Sequence, residues 1–351
     1  MKETMLTIAT VTLCGVGWAA DVPRTAWGVP DLSGTYDIAT ITPLQRPEEF
    51  GDNLILTPEL ARAAEERVAA QKATRNEASD PNRGAPPAGG DGSTGAAGNV
   101  GGYNTFWIDN GDTAIQIDGE YRTSIITTPT NGRRPQMTPA AQKRFAQRRA
   151  FFRQNEGKAW WLELDGPGPY DHPESRSLSD RCLLGFGSTG GPPMLPVLYN
   201  NLKRIVQTPD HVMILVEMVH DARIVRLNSE HADPSVRRWL GDSIGWWEGD
   251  TLVVDTTNFT DQPALFGATR DLHVVERFSR IDDDTLLYSF TVEDPNTWTE
   301  PWGGEYPWPA SDDRVYEYAC HEGNYAMEGI LRGARLLEAE AQAAAAHGSG
   351  G

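Results

Sequence analysis

Alternating apolar and polar residues predict a run of strands in the second half of the chain. The turn dipeptide Gly249-Asp250 is followed by Thr251–Thr257, whose β-branched and apolar residues are typical of a strand leaving a tight turn. The alternation resumes at 272–280, and an acidic turn leads into a third strand at 285–292. Three successive strands form an antiparallel meander, which has to close into a barrel or pack against a second sheet.

The rest of the chain predicts a mainly β fold with a few helices. Thr57 and Thr138 each precede a proline, which is the pattern of a capped helix N-terminus, and a third helix is expected from about Met327. We expect an antiparallel, barrel-like sheet of the lipocalin or calycin type, with peripheral helices and long loops. Further strands are expected within 26–38 and at 103–109, 113–117, 121–127, 200–207, 211–227 and 315–321.

The segment 74–102 is dominated by Gly, Ala, Pro, Ser, Asn and Asp. Such a composition cannot bury a core, so the segment is expected to be a flexible surface loop. A lid over a pocket is the functional alternative, because long loops often carry function. We expect this segment to be an insertion in a single β-rich domain that spans residues 21–340.

The first residues have the pattern of a secretory signal peptide. A single lysine precedes an apolar stretch that ends in small residues, and cleavage is expected after Ala20 or the residue before it. A lipoprotein anchor at Cys14 is the competing interpretation, but Leu13 lies where a small residue is expected. We therefore expect a signal peptide at 1–20, a periplasmic or secreted mature protein, and an Ala/Gly-rich tail at 341–351. No stretch is long enough to predict a membrane span.

Removal of the signal peptide leaves two cysteines, Cys182 and Cys320, in a compartment that permits oxidation. We expect a disulfide between them, and two buried free thiols are the alternative. A bridge over so long a stretch would stabilise the fold by roughly 4–5 kcal/mol in the chain-entropy model.

The formal net charge is −18, from 49 acidic and 31 basic residues. A surface of this sign repels nucleic acid and anionic lipid, so neither is an expected partner. The basic residues of the helix after Thr138 are instead expected to pair with the protein's own carboxylates. The expected partner is a small molecule, since 11 Trp, 10 Tyr and 10 Phe can line a cavity. Nothing indicates an oligomer, so a monomer is the default.

Several motifs together resemble a family of exported bacterial β-rich proteins to which no activity is assigned. The motifs, of which the last five are the specific ones, are DLSGTYD, YNTFWIDNG, EMVHDARIV, GDSIGWWEGDTLVVDTTNF, LHVVERFSRIDDDTL, VEDPNTWTEPW and YEYACHEGNY. The resemblance covers nearly the whole mature chain. It implies export and one β-rich domain, and it carries no catalytic residue over to this chain.

Three histidines lie on predicted strands, each close in sequence to a carboxylate. A carboxylate can orient an imidazole and bring its pKa towards neutrality, as general acid–base catalysis needs. Glu317 and His321 are four residues apart on a predicted strand and so share a face, and with His220 they could converge inside a barrel. Structural histidines bonded to backbone or to an acid are the alternative. The candidate catalytic residues are His220, Asp221, Glu276, Glu317 and His321, and the candidate substrate-binding residues are Trp107, Arg223, Trp247, His273, Asn324 and Tyr325.

No metal or other cofactor is predicted. As an alternative, His220, His273 and His321 could together hold zinc, copper or iron, although no local spacing pre-forms such a site. The sequence also lacks the serine-hydrolase elbow, the Walker loop and the HExxH zinc motif. Carboxylates such as Glu217 and Glu317 would form a glycosidase pair only at a fixed separation.

The leading hypothesis is an exported enzyme, a hydrolase, lyase or isomerase, that transforms a small apolar or aromatic molecule inside the barrel. Its chemistry would be His/carboxylate acid–base catalysis. The alternative is a lipocalin-like periplasmic binding protein without catalysis, in which the same polar residues orient a ligand. A surface interaction module gains weight only if side chains fill the interior.

Overall fold

The computed structural model describes residues 22–77, 82, 84, 108–151, 153, 156–265 and 267–348. The expected signal peptide, most of the expected insertion at 74–102, the expected strand at 103–109 up to its last two residues, and Trp107 therefore lie outside the described residues. Within the described part of the chain, no helix is both long and apolar enough to cross a membrane.

Strands dominate the described chain, which confirms the prediction of a mainly β fold. The large sheet curls into a half-barrel and contains β1 (Gly34–Asp37), β5 (Ile126–Thr128), β6 (Leu202–Gln207), β7 (His211–Val216), β8 (Ala222–Leu227), β9 (Asp242–Glu248), β10 (Thr251–Thr257), β11 (His273–Arg280), β12 (Thr285–Glu293) and β13 (Trp302–Pro309). Its strand order is β1-β6-β7-β8-β9-β10-β11-β12-β13-β5. A three-stranded sheet contains β2 (Ile55–Leu56), β4 (Glu120–Arg122) and β3 (Gln116–Ile117) in that order.

The meander predicted from the alternation is present and longer than expected, because β9 to β13 all pair with their sequence neighbours in antiparallel register.

One pair departs from the antiparallel prediction. Strands β8 and β9 run parallel, with Val225 opposite Ser243. A parallel pair needs a crossover connection of about a dozen residues, and the segment 228–241 supplies it.

Three predicted strands are corrected by the structure. The strand expected at 121–127 is divided between β4 and β5, which belong to different sheets. The strand expected at 211–227 breaks between β7 and β8, where Val219 and His220 have positive φ angles of 59° and 45°. The strand expected at 315–321 does not form among the described residues. There the Tyr316 N–H donates to the Glu217 side chain (3.1 Å) rather than to a neighbouring strand, and the Cys320 N–H donates to Tyr318 O (2.9 Å).

All three expected helices are present: α1 (Pro58–Arg75), α2 (Pro139–Ala150) and α3 (Tyr325–Gly348). Thr57 and Thr138 cap the first two, as predicted, by accepting from the N–H groups of Leu60 and Ala141. The third begins at Tyr325, and it extends as helix into the segment expected to be a tail.

Aromatic side chains fill the inner face of the half-barrel, which we define as the face that carries the core. Phe278, Tyr288, Tyr306 and Trp308 are completely buried there. The Tyr288 ring lies 4.7 Å from the Trp308 ring and 5.1 Å from the Phe278 ring, measured between centroids. Burial of each such side chain stabilises the fold by about 1.5–3 kcal/mol. The space that a lipocalin would offer to a ligand is therefore occupied by the protein's own rings.

Candidate functional site

A glycine-rich loop, residues 184–196, covers part of the inner face. A Cβ atom on Gly190 would lie 2.8 Å from Asp221 Oδ2, and one on Gly191 would lie 3.0 Å from Arg223 Cδ. Only glycine lets the backbone approach these side chains so closely. The loop is fixed further along by Met194, whose N–H donates to Tyr288 Oη (2.9 Å) and whose carbonyl accepts from Tyr306 Oη (2.9 Å).

Under this loop lies a completely buried ion pair. Arg223 on β8 donates from Nη1 and Nη2 to the two carboxylate oxygens of Glu276 on β11, at 2.7 and 3.0 Å. The Tyr288 hydroxyl donates to Glu276 Oε1 at 2.7 Å. Burial, and next the Glu276 charge, raise the pKa of Tyr288 well above its ordinary value, so the phenol stays a donor. This cluster satisfies the carboxylate fully and leaves it no free oxygen for chemistry.

Lys203 on β6 is a second buried charge on the inner face. It lies opposite Val216, whose N–H donates to Asp221 O, so Lys203 and Asp221 flank the same residue from two sides. The side chain of Lys203 is completely buried, and its Nζ has no hydrogen-bond partner among the described residues. Burial lowers the pKa of Lys203 to about 7, against the opposing charges of Glu217, Asp37 and Asp221. A buried amine of this kind can exchange a proton near neutral pH.

Asp221 follows the break between β7 and β8. Burial raises its pKa to about 6, although the Gly185 N–H and the charges of His220 and Lys203 act in the opposite direction. The carboxyl oxygen Oδ2 finds no hydrogen-bond partner within the described chain. An amine and a carboxyl group with unused atoms, both titrating near neutrality, therefore lie on either side of Val216. Perturbed titratable groups of this kind cluster at functional sites.

A cleft of about 620 Å³ lies near this part of the sheet, and neither Lys203 nor Asp221 is among its lining residues. Glu217, which is almost fully buried, forms part of its wall, and its charge acts on Lys203. The predicted disulfide between Cys182 and Cys320 is confirmed, with 5.7 Å between the Cα atoms, and Cys320 lines the same cleft. The remaining lining residues are Tyr199, Asn200, Tyr316, Glu317, Tyr318, Ala319, Gly323 and Asn324.

The structure brings three of the candidate residues, Asp221, Arg223 and Glu276, together beneath the glycine-rich loop. The expected convergence of His220 and His321 inside a barrel is not found. Both histidines are exposed, and His220 Nδ1 lies 3.2 Å from Tyr318 O at the outer rim. The reason is the missing strand at 315–321, because without it no alternation directs His321 inward.

The other candidate residues are spread over the surface and the cleft. Glu317 is exposed and lines the cleft, as does Asn324, whose Oδ1 accepts from the Met327 N–H and so caps α3. Tyr325 is 80% exposed, and Trp247 is half-buried against the core. Within the described chain, neither Tyr325 nor Trp247 forms a hydrogen bond with Lys203 or Asp221.

His273 lies on the outer face of the sheet, within a polar chain that sequence reasoning missed. Its Nε2 lies 2.8 Å from Asp255 Oδ2, and Asp255 Oδ1 lies 2.8 Å from His231 Nε2. The hydrogen bond to Asp255 raises the pKa of His273. Within the described chain no three His, Cys, Asp or Glu side chains are grouped so that they could hold a metal ion.

No protein-family model matches the chain, and neither a curated protein nor a solved structure matches it. Function is therefore inferred from the chemistry of the site itself.

Proposed function

We propose that this protein is an enzyme that transforms a small organic molecule by acid–base chemistry, with Lys203 and Asp221 as the proton-transfer pair. The observation that carries the proposal is their placement: the two groups lie on either side of Val216, and Nζ of one and Oδ2 of the other are buried without a hydrogen-bond partner among the described residues. Orphaned buried polar atoms are costly, and they are found where a water or a substrate group completes the set.

The pKa values of Lys203 and Asp221 allow proton transfer near neutral pH. Above about pH 7 the Lys203 amine is neutral and can accept a proton, and below about pH 6 the Asp221 carboxyl can donate one. A base and an acid with these values give a bell-shaped rate profile with its maximum between pH 6 and 7. Proton abstraction at one substrate atom and protonation at another serve hydrolysis, elimination and isomerisation alike.

The substrate is proposed to enter through the cleft that Glu217 helps to line. Its walls carry three tyrosines, Tyr199, Tyr316 and Tyr318, which suit an apolar or aromatic molecule with a few polar groups. A lipocalin-like carrier would need an apolar hollow inside the sheet, and aromatic rings fill that space. This packing counts against any ligand inside the sheet, so the substrate site is proposed in the Glu217 cleft instead. The disulfide between Cys182 and Cys320 supports a periplasmic or secreted location.

The test is a depletion screen followed by matched variants. The purified protein is incubated with a panel of small aromatic esters, lactones and β-hydroxy carbonyl compounds, and their loss is followed by mass spectrometry. For any compound consumed, Lys203→Met and Asp221→Asn should each lower turnover by about 100-fold or more. Lys143→Met, which removes an exposed lysine of α2, should leave turnover unchanged. Unchanged turnover in both site variants, with folding verified by circular dichroism, would refute the proposal.

A further inference from the structure

A second cleft, of about 480 Å³, lies between α2 and the start of the glycine-rich loop. Its volume is that of a site for a small organic ligand. Apolar side chains from three separate segments form most of it, namely Phe145, Leu178, Leu184, Phe186, Pro263 and Ala264. Phe186 is 36% exposed.

One end of this cleft is cationic. Arg148 and Arg149 of α2 line it together with Ser177 and Gln262. Arg148, Ser177 and Gln262 also line an adjoining polar cleft, which contains Glu174 and Arg176, the latter paired with Asp180 at 3.0 Å. Helix α2 contains no acidic residue. In a protein with a net charge of −18, this end of the cleft is thus a local exception that attracts anions.

The basic residues from Lys143 to Arg153 were expected to pair with carboxylates, and two of them, Arg144 in α2 and Arg153 beyond its end, have other roles. Arg144 donates to the backbone carbonyl of Asn296 at 2.9 Å, and Arg153 stacks over the Trp160 ring at 4.3 Å. These two attach the helix to the rest of the protein. Arg148 and Arg149 both line the cleft.

We propose that this cleft binds a small amphipathic carboxylate, either a medium-chain aliphatic acid or an acid with one aromatic ring. The apolar segment would contact Leu178, Leu184 and Phe186, and the carboxylate would lie against Arg148 and Arg149. Guanidinium groups match carboxylate geometry with two parallel hydrogen bonds. The site is separate from the proposed catalytic pair and does not depend on it. Gly185 connects the two sites, since it lines the cleft and its N–H bonds to Asp221.

Isothermal titration calorimetry with octanoate and with 1-octanol tests this proposal on the full chain. The two probes share an alkyl chain and differ in charge, so octanoate should bind and 1-octanol should bind about tenfold more weakly or not at all. The double variant Arg148→Gln/Arg149→Gln should weaken octanoate binding by about tenfold or more and leave 1-octanol unaffected. Both arginines are exposed, so the variant is expected to fold.

The matched control is Lys143→Gln, which removes one positive charge from the same helix outside the cleft. It should bind octanoate as the unchanged protein does. Equal loss in the control and the double variant would mean a general charge effect, and equal affinity for the two probes would mean that no carboxylate is recognised. Either result, or no octanoate binding, overturns the proposal. Lys203→Met should leave octanoate affinity unchanged, so the two proposals fail independently.

Discussion

Arg223 and Glu276 form a bidentate ion pair, with N–O distances of 2.7 and 3.0 Å, although β9 and β10 lie between their two strands in the sheet. The contact is possible only because the sheet curls, which brings side chains of β8 and β11 towards each other over the inner face. Both partners are completely buried, and the glycine-rich loop closes over them. The pair therefore connects the two halves of the half-barrel.

Removal of one partner is expected to be far more damaging than removal of both. Glu276→Gln or Arg223→Met alone leaves an uncompensated buried charge and should lower the free energy of unfolding by about 3–5 kcal/mol. The double variant Arg223→Met/Glu276→Leu should lower it by much less, because no charge remains. Urea denaturation curves of the three variants measure this. Equal losses in the single and double variants would contradict the assignment.

The disulfide is expected to stabilise the wall of the Glu217 cleft and the fold as a whole. Cys182 and Cys320 are 138 residues apart in sequence, and a loop of that length corresponds to as much as about 5 kcal/mol in the chain-entropy model. Cys182→Ser/Cys320→Ser should therefore lower the unfolding free energy by several kcal/mol. Chemical reduction of the unchanged protein should give the same midpoint as the double variant. A variant as stable as the oxidised protein would show that the bridge contributes nothing to the fold.

The buried amine of Lys203 predicts a specific pH dependence of stability. Burial lowers its pKa from 10.5 to about 7, so between these values the unfolded chain binds a proton that the folded chain does not. Stability from this group therefore rises as the pH increases from about 7 towards 10.5. Lys203→Met should be more stable than the unchanged protein at pH 7, and its advantage should shrink at higher pH. Urea denaturation at pH 7, 8, 9 and 10 gives the difference, and a constant difference would mean that Lys203 titrates normally.

The glycine at position 185 is expected to be required by packing. A Cβ atom there would lie 2.5 Å from both Met218 Cγ and Thr189 Oγ1. Gly185→Ala should destabilise the fold by about 1–3 kcal/mol through overpacking. Gly329→Ala is the matched control, since its Cβ atom would meet nothing and the helix interior prefers alanine by about 0.5–1 kcal/mol. Thermal unfolding of both variants should shift in opposite directions, and a neutral Gly185→Ala would argue against the close loop contact.

The parts of the fold that sequence predicted are those set by local pattern. The alternation after Asp242 predicted the meander, and the Thr-Pro pairs predicted two helix starts. The strand at 315–321 has the same local pattern, but its backbone bonds to Glu217, a residue a hundred positions earlier in the chain. No local signal reports such a contact.

In the candidate site, too, the sequence indicated only those residues that a local pattern marks. Arg223 and Glu276 were identified because they are charged residues within apolar strands, and such residues need partners when they face inward. Lys203, in the strand Leu202–Gln207, is also a charged residue among apolar ones. It was missed because its neighbour Arg204 is basic as well, and the sequence does not show that Lys203 is the buried one of the two. Alternation shows which side chains share a face of a strand, but it does not show which face is the inner one. For that reason the sequence did not show that Glu276 is buried and that His273 is partly exposed.

The outer-face chain of His231, Asp255 and His273 gives a prediction of pKa and of stability together. Burial acts to raise the pKa of Asp255, but hydrogen bonds from His273 and His231 outweigh it, so the carboxylate stays ionised and holds the pKa of His273 above its ordinary 6.5. A raised histidine pKa stabilises the fold below pH 6.5, and this contribution is lost as the pH rises through the higher folded value. NMR titration should therefore show His273 titrating above 6.5, and Asp255→Asn should return it towards that value. Asp250→Asn, which removes an exposed carboxylate paired with Arg24, should leave it unchanged. The stability difference between the unchanged protein and His273→Gln should decline as the pH rises through that pKa. Identical titration of His273 in all three proteins would show that Asp255 is not the group that raises its pKa.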